Sequence, residues 1–322
     1  MIRPGQLRAY GSAVMPEDDL LSGGGAIDLS TSVEFTDLDV NSVLQGVSSN
    51  ASDTIVVDVT GRNSGGFIVS ESLTLTGQTP VLTSQVFERV MKVVKQSSSL
   101  GDIAIEKPTA FATGTAQGMF AADVATLSAL ATDPDDAYNG MVFRVTAGTG
   151  AGFVARVLGY LASQKLATLD RTPPVPLDNT SVYRISVGVI LSVGPSEIMT
   201  VRRPFYNVAA DLPGGADRFF YEKFFWRNNS IETLTLVSVI EALNPTTRID
   251  FALEAVQNGS GTSINRRTAP MPMLTFNRSD KPVPTFDLGP SSSIGVWLRL
   301  YLPAGTSPVK SLYASRLSGQ TT

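Results

Sequence analysis

From residue 54 onward apolar and polar positions alternate. Ile55, Val57 and Val59 fall on one side of the chain, and Val56, Asp58 and Thr60 on the other. A period of two is that of a strand half-buried against a core, and the glycine-rich stretch 61–66 that follows predicts a hairpin turn. Residues 67–69, 72–75 and 86–94 continue as short strands punctuated by Gly77, Pro80 and Gly101. Residues 86–95 (VFERVMKVVK) also fit helical spacing through Val86, Val90 and Val93 or Val94. Their valine content and poor capping signals favour a strand.

The same pattern recurs twice. Residues 140–145, 153–160, 165–169 and 182–193 are short β-branched runs separated by Gly, Asp and Pro, while the alanine-rich stretch 120–131 reads as helix or strand alike. Beyond residue 203 the chain is at its most aromatic, with Phe205, Tyr206, Phe219, Phe220, Tyr221, Phe224, Phe225 and Trp226. Residues 233–240, 248–253 and 294–302 have strand length and alternation, and Asn258, Gly259, Ser260 and Gly261 form a turn. The first 35 residues, with Gly23, Gly24 and Gly25 in a row, read as an extended arm. The expectation is an all-β chain of tandem β-sandwich, immunoglobulin-like domains: an arm over 1–35, a sandwich over 36–107, a small β domain over 108–195 and a second sandwich over 196–322.

Composition narrows the chemistry. Among 322 residues there is no histidine and no cysteine, which removes the Ser/His/Asp and Cys/His nucleophile systems, disulfides and nearly every zinc site. Charged residues make up 17%, against about 25% in typical chains, a surface suited to broad protein contacts. A net charge of −4 gives no general attraction to nucleic acid. There is no apolar run of membrane-spanning length, and the first 19 residues lack the apolar region of a secretory signal.

No catalytic, cofactor or metal site is predicted. Gly148, Gly150 and Gly152 (AGTGAG) lack the Lys-Ser/Thr of a P-loop and precede a strand, so they read as a tight hairpin. Asp133, Asp135 and Asp136 read as a solvated turn, since a calcium loop's closing Glu is missing. Glu222, Glu232, Glu241 and Glu254 are the carboxylates a polysaccharide hydrolase would draw on. Tyr221 and Trp226 are the binding or interface candidates: such aromatics stack on sugar rings or, more often, fill a core or a subunit interface. The pairs Arg202–Arg203 and Arg266–Arg267 read as partners for carboxylates on a neighbouring subunit.

Several segments resemble a group of tailed-bacteriophage virion structural proteins. GMVFRVTAGTGAGFVARVLGY with TLDRTPPVPLDNTSVYRI (140–185) resembles a strand-hairpin-strand unit that recurs in them. FIVSESLTLTGQTPVLTSQVFERVMKV (67–93) resembles their N-terminal sandwich repeat, and GAIDLSTSVEFTDL (25–38) and FYEKFFWRNNS (220–230) are similar to further segments. The resemblance implies a non-enzymatic virion component without cofactors, in the neck or collar, and a strand within 120–131. Its partners would be further copies of itself and the portal, connector, capsid or tail. The alternative it implies is a head decoration or tail fibre that binds host-surface carbohydrate through the C-terminal domain.

Overall fold

In the computed structural model the described residues are 2–35, 37–194, 197–206, 215–271, 274–305 and 312–321. Among them the chain is almost wholly β: 25 strands and a single 3-10 turn, Pro4–Gln6. Its contacts divide it into two compact units. The terminal unit joins Met1–Asp37 to Arg202–Thr322, and the central unit is the intervening Leu38–Val201.

In the terminal unit five strands lie in the order Ile249–Gln257, Ser293–Leu302, Arg218–Asn228, Leu7–Val14 and Gly23–Val33. A second sheet sets Leu234–Leu243 between the two-residue Lys281–Pro282 and Ala314–Thr321. Alternation decides how they pack. Phe220 and Phe224, Ile249 and Phe251, and Ile294, Val296, Leu298 and Leu300 point from the first sheet into one cluster. Leu234, Val237, Val239 and Val283 enter it from the second. Two sheets sharing one apolar layer make a sandwich.

The stretch expected as an arm is therefore part of this sandwich. Leu7–Val14 pairs with Arg218–Asn228, Tyr10 opposite Phe225, and Gly23–Val33 pairs in turn with Leu7–Val14. The glycines that read as irregular are there for a steric reason. Gly24 has φ +92°, and a Cβ on it would lie 2.5 Å from the Gly261 carbonyl and 2.8 Å from the Trp297 ring. No other residue lets a strand pass so close.

In the central unit Val56–Arg62 pairs with Ile68–Thr74 on one side and Phe87–Lys95 on the other. The stretch 86–95 is thus strand from Phe87 on, with Phe87, Val90, Met91 and Val93 buried. A four-stranded sheet runs Gly188–Leu191, Ile103–Glu106, Gln45–Ser48, Val81–Leu82, and a seven-stranded one is built wholly from residues 112–186. The latter encloses an aromatic core in which Phe143 stacks on Tyr183 and Tyr138 tilts against Tyr160. Within 120–131 the chain ends the strand Gly118–Ala121 and forms Val124–Thr126, a hairpin rather than a helix. No described helix is long and apolar enough to cross a membrane.

Candidate functional site

The strand Arg218–Asn228 (RFFYEKFFWRN) carries most of the residues singled out from sequence, and its alternation sorts them between two faces. Phe220, Glu222, Phe224 and Trp226 turn toward the sandwich core. Phe219, Tyr221, Lys223 and Phe225 turn away from it. Both faces are covered, which is why this strand is buried along nearly its whole length.

On the outward face the side chain of Lys223 is fully buried. Its Nζ donates to Glu254 Oε1 at 2.7 Å and to the carbonyls of Gly25, Gly259 and Gly261 at 2.8, 3.2 and 3.3 Å. It also lies 4.4 Å from the centroid of the Phe225 ring. The Gly261 N–H donates back to Glu254 Oε1 at 3.0 Å. Burial pushes the Lys223 ammonium below its ordinary pKa range, and the bond to Glu254 pulls against that. The pair fits only because its neighbours have no side chain. A Cβ on Gly295 would stand 2.4 Å from Glu254 Oε2 and 2.8 Å from Lys223 Cε. This cluster is an ionic lock joining three segments. An ammonium with four acceptors has no lone pair to offer as a nucleophile.

Glu222, one residue earlier, faces the other way and is also buried. It accepts the Phe205 N–H, and the Arg202 guanidinium stands 3.7 Å away. Burial pushes its carboxyl above the usual range, against the pull of Arg202. Glu222 and Glu254 thus lie on opposite faces of one sheet. Glu241 accepts from Asn244. Glu232 contributes its backbone carbonyl to Asn228 and Ser230. The pair of facing carboxylates that glycoside hydrolysis uses is not formed by Glu222 and Glu254.

Tyr221 keeps 8% of its surface exposed and meets Phe276 edge-on at 5.4 Å. Trp226 is half-buried against the core, its indole Nε1–H donating to Ser315 Oγ at 3.0 Å. Both rings are committed to packing within the unit. Three of the four arginines in the two pairs meet carboxylates of their own chain. Arg202 donates to Glu17 and to the Pro16 carbonyl, Arg266 to Asp19 and the Tyr206 carbonyl, and Arg267 to Asp19. Arg203 lies over the Phe35 ring. Burial opposes ionisation of Asp19, yet the bonds and charges of Arg266 and Arg267 hold its carboxyl below the usual range.

In the central unit Gly148, Gly150 and Gly152 all have positive φ in the turn between Val142–Ala147 and Val154–Leu161, and a Cβ on Gly148 would meet the Thr180 carbonyl at 1.8 Å. Asp133 accepts the Tyr138 hydroxyl, Asp135 the Ala162 N–H and Asp136 the Tyr160 N–H. Asp135 and Asp136 thus hold backbone N–H groups and Asp133 a buried tyrosine, each within the fold. Sequence reasoning missed the cluster around Glu106, which is fully buried and takes the Gln45 amide and both Nε and Nη2 of Arg144 on Oε1, with Arg184 3.4 Å away. Its members are up to 139 residues apart (45 to 184), so no local motif announces it.

Comparison with protein-family models, with curated proteins and with solved structures finds no match.

Proposed function

We propose that this chain is a non-enzymatic structural subunit of a tailed-phage virion, present in many copies and seated at the neck or collar between head and tail. The observation that carries this reading is where the molecule spends its charged and its apolar groups. Its buried ions are used to lock strands together, as at Lys223 and Glu106, while large apolar side chains stand out from turns and from a short hairpin strand. Phe67, in the turn between Val56–Arg62 and Ile68–Thr74, is 71% exposed, and that turn is stiffened by Asn63, whose Oδ1 accepts the N–H groups of Gly65 and Phe67. Phe120, in the hairpin that ends at Thr126, is 69% exposed, and Ile231 is 92% exposed. Hairpins and bends that present aromatic and aliphatic side chains are suited to contacts with other subunits. An ordinary interface of about 1,600 Å² repeated over many copies multiplies weak contacts into a stable particle.

Gold-labelled antibody against this chain, imaged on intact particles, tests the proposal. Label at the head-to-tail junction is the expected result. Purified particles free of the protein by mass spectrometry would overturn it, and label confined to fibre tips would move the protein to a host-binding role.

A further inference from the structure

The second sheet of the terminal unit has two edges of different character. One is Lys281–Pro282, two residues long, with a charge and a proline. These are two of the standard guards against unwanted strand pairing. The other is Ala314–Thr321 (ASRLSGQT), eight residues whose single charge is Arg316, with no proline and its far half exposed. Leu234–Leu243 is its one strand partner among the described residues. On that partner Leu234 and Val237 turn their backbone groups away, to Leu288 and to Phe286 and Val283, which leaves Thr235 and Ser238 to face Gln320 and Ser318, and the Thr235 hydroxyl donates to the Gln320 carbonyl. In a regular strand Ser315, Leu317, Gly319 and Thr321 therefore turn their N–H and C=O groups to the open side.

We infer that this edge pairs with the same edge of a second copy, antiparallel about a two-fold axis at Ser318, and joins the two three-stranded sheets into one. The inference rests on the multi-copy reading above and supplies one contact for it. Three considerations select this occupant and register. A two-fold closes both unguarded edges at once, because each copy offers the groups the other lacks. Keeping the core-facing side chains of both copies on one side requires a residue to face its own counterpart, since a one-residue slip turns every side chain over. Of the registers that do so, centring on Arg316 opposes two like charges. Centring on Leu317 leaves roughly six backbone hydrogen bonds, whereas centring on Ser318 pairs Ser315 with Thr321 and Leu317 with Gly319 for roughly eight. Arg316 then faces Gln320, and the small Ser318 meets itself in a non-hydrogen-bonded pair, where side chains approach most closely.

The chain has no cysteine, so Ser318→Cys in the full-length protein gives a single reporter. Mild oxidation should yield a disulfide-linked dimer, since non-hydrogen-bonded pairs in antiparallel strands bring Cβ atoms near disulfide range. Ser318→Lys, which sets two ammonium groups face to face, should weaken dimerisation at least tenfold in analytical ultracentrifugation with an unchanged circular dichroism spectrum. A parent protein that stays monomeric across the micromolar range, a dimer untouched by Ser318→Lys, or a Ser318→Cys dimer that does not cross-link would each overturn the inference. Its failure is separable from that of the virion reading. Particles that contain the Ser318→Cys chain uncross-linked reject only the edge pairing, whereas particles that lack the wild-type chain reject the larger proposal.

Discussion

Two buried ion clusters, one from each unit, handle charge in different ways. In the terminal unit one cation meets one anion: Lys223 and Glu254 sit in a gap that glycines keep open, and backbone carbonyls supply the lysine's remaining acceptors. In the central unit one carboxylate, Glu106, is shared by Arg144, Arg184 and Gln45, and Arg184 is held in addition by the carbonyls of Lys107 and Pro108. The first arrangement has no reserve, because losing either partner strands the other. The second has two cations for one anion. A buried pair adds little over apolar packing, but a buried charge without its partner is costly. The contrast therefore predicts unequal responses to similar substitutions.

The largest effect is expected at Lys223. Lys223→Ala leaves Glu254 buried and uncompensated, a loss of about 3–5 kcal/mol, seen in urea unfolding and in hydrogen exchange that rises in the terminal unit and not in the central one. Lys223→Met combined with Glu254→Leu should restore most of that loss, and a double substitution no better than the worse single one would remove the ionic lock from the account. In the central unit Glu106→Gln strands two guanidinium groups and should cost about 3 kcal/mol. Arg144→Leu leaves Arg184 beside the carboxylate and should cost less, about 1–2 kcal/mol. Equal losses for Arg144→Leu and Lys223→Ala would erase the distinction between the two clusters.

Two smaller effects depend on pH. The Glu222 carboxyl is raised above its unfolded value by burial. Its contribution to stability is therefore full below the unfolded value and is lost as pH rises through the folded one. Glu222→Gln should then be more stable than the parent at neutral pH, with the difference closing toward pH 4.5, the ordinary carboxyl value. Asp19 has the opposite sign. Its carboxyl is lowered despite burial by Arg266 and Arg267, so its contribution is present above the unfolded value and fades as pH falls through the folded one. Asp19→Asn should cost less than about 1 kcal/mol at neutral pH, as for a half-exposed pair, and nothing in strong acid. A melting-temperature series against pH for both variants checks the two signs.

The sequence alone determined the class of the fold, because a period of two is a local property. Val57 and Val59 are buried and Asp58 and Thr60 are not, as the alternation required, and the glycines at 148, 150 and 152 turn the chain where turn chemistry put them. Only the tertiary structure decided what lies beside what. Residues 1–35 read as an arm because three consecutive glycines suggest irregularity, yet Gly24 is needed for a strand that passes Trp297. Glu254 read as a carboxylate that hydrolysis could draw on, and Tyr221 and Trp226 as ring faces for a ligand, a core or an interface. The fold gave the first a lysine 31 residues away (254 − 223) and the other two packing partners at Phe276 and Ser315. Alternation fixes the face on which a side chain lies, and its partner on that face comes from strand order, which is set by contacts between residues far apart in the chain.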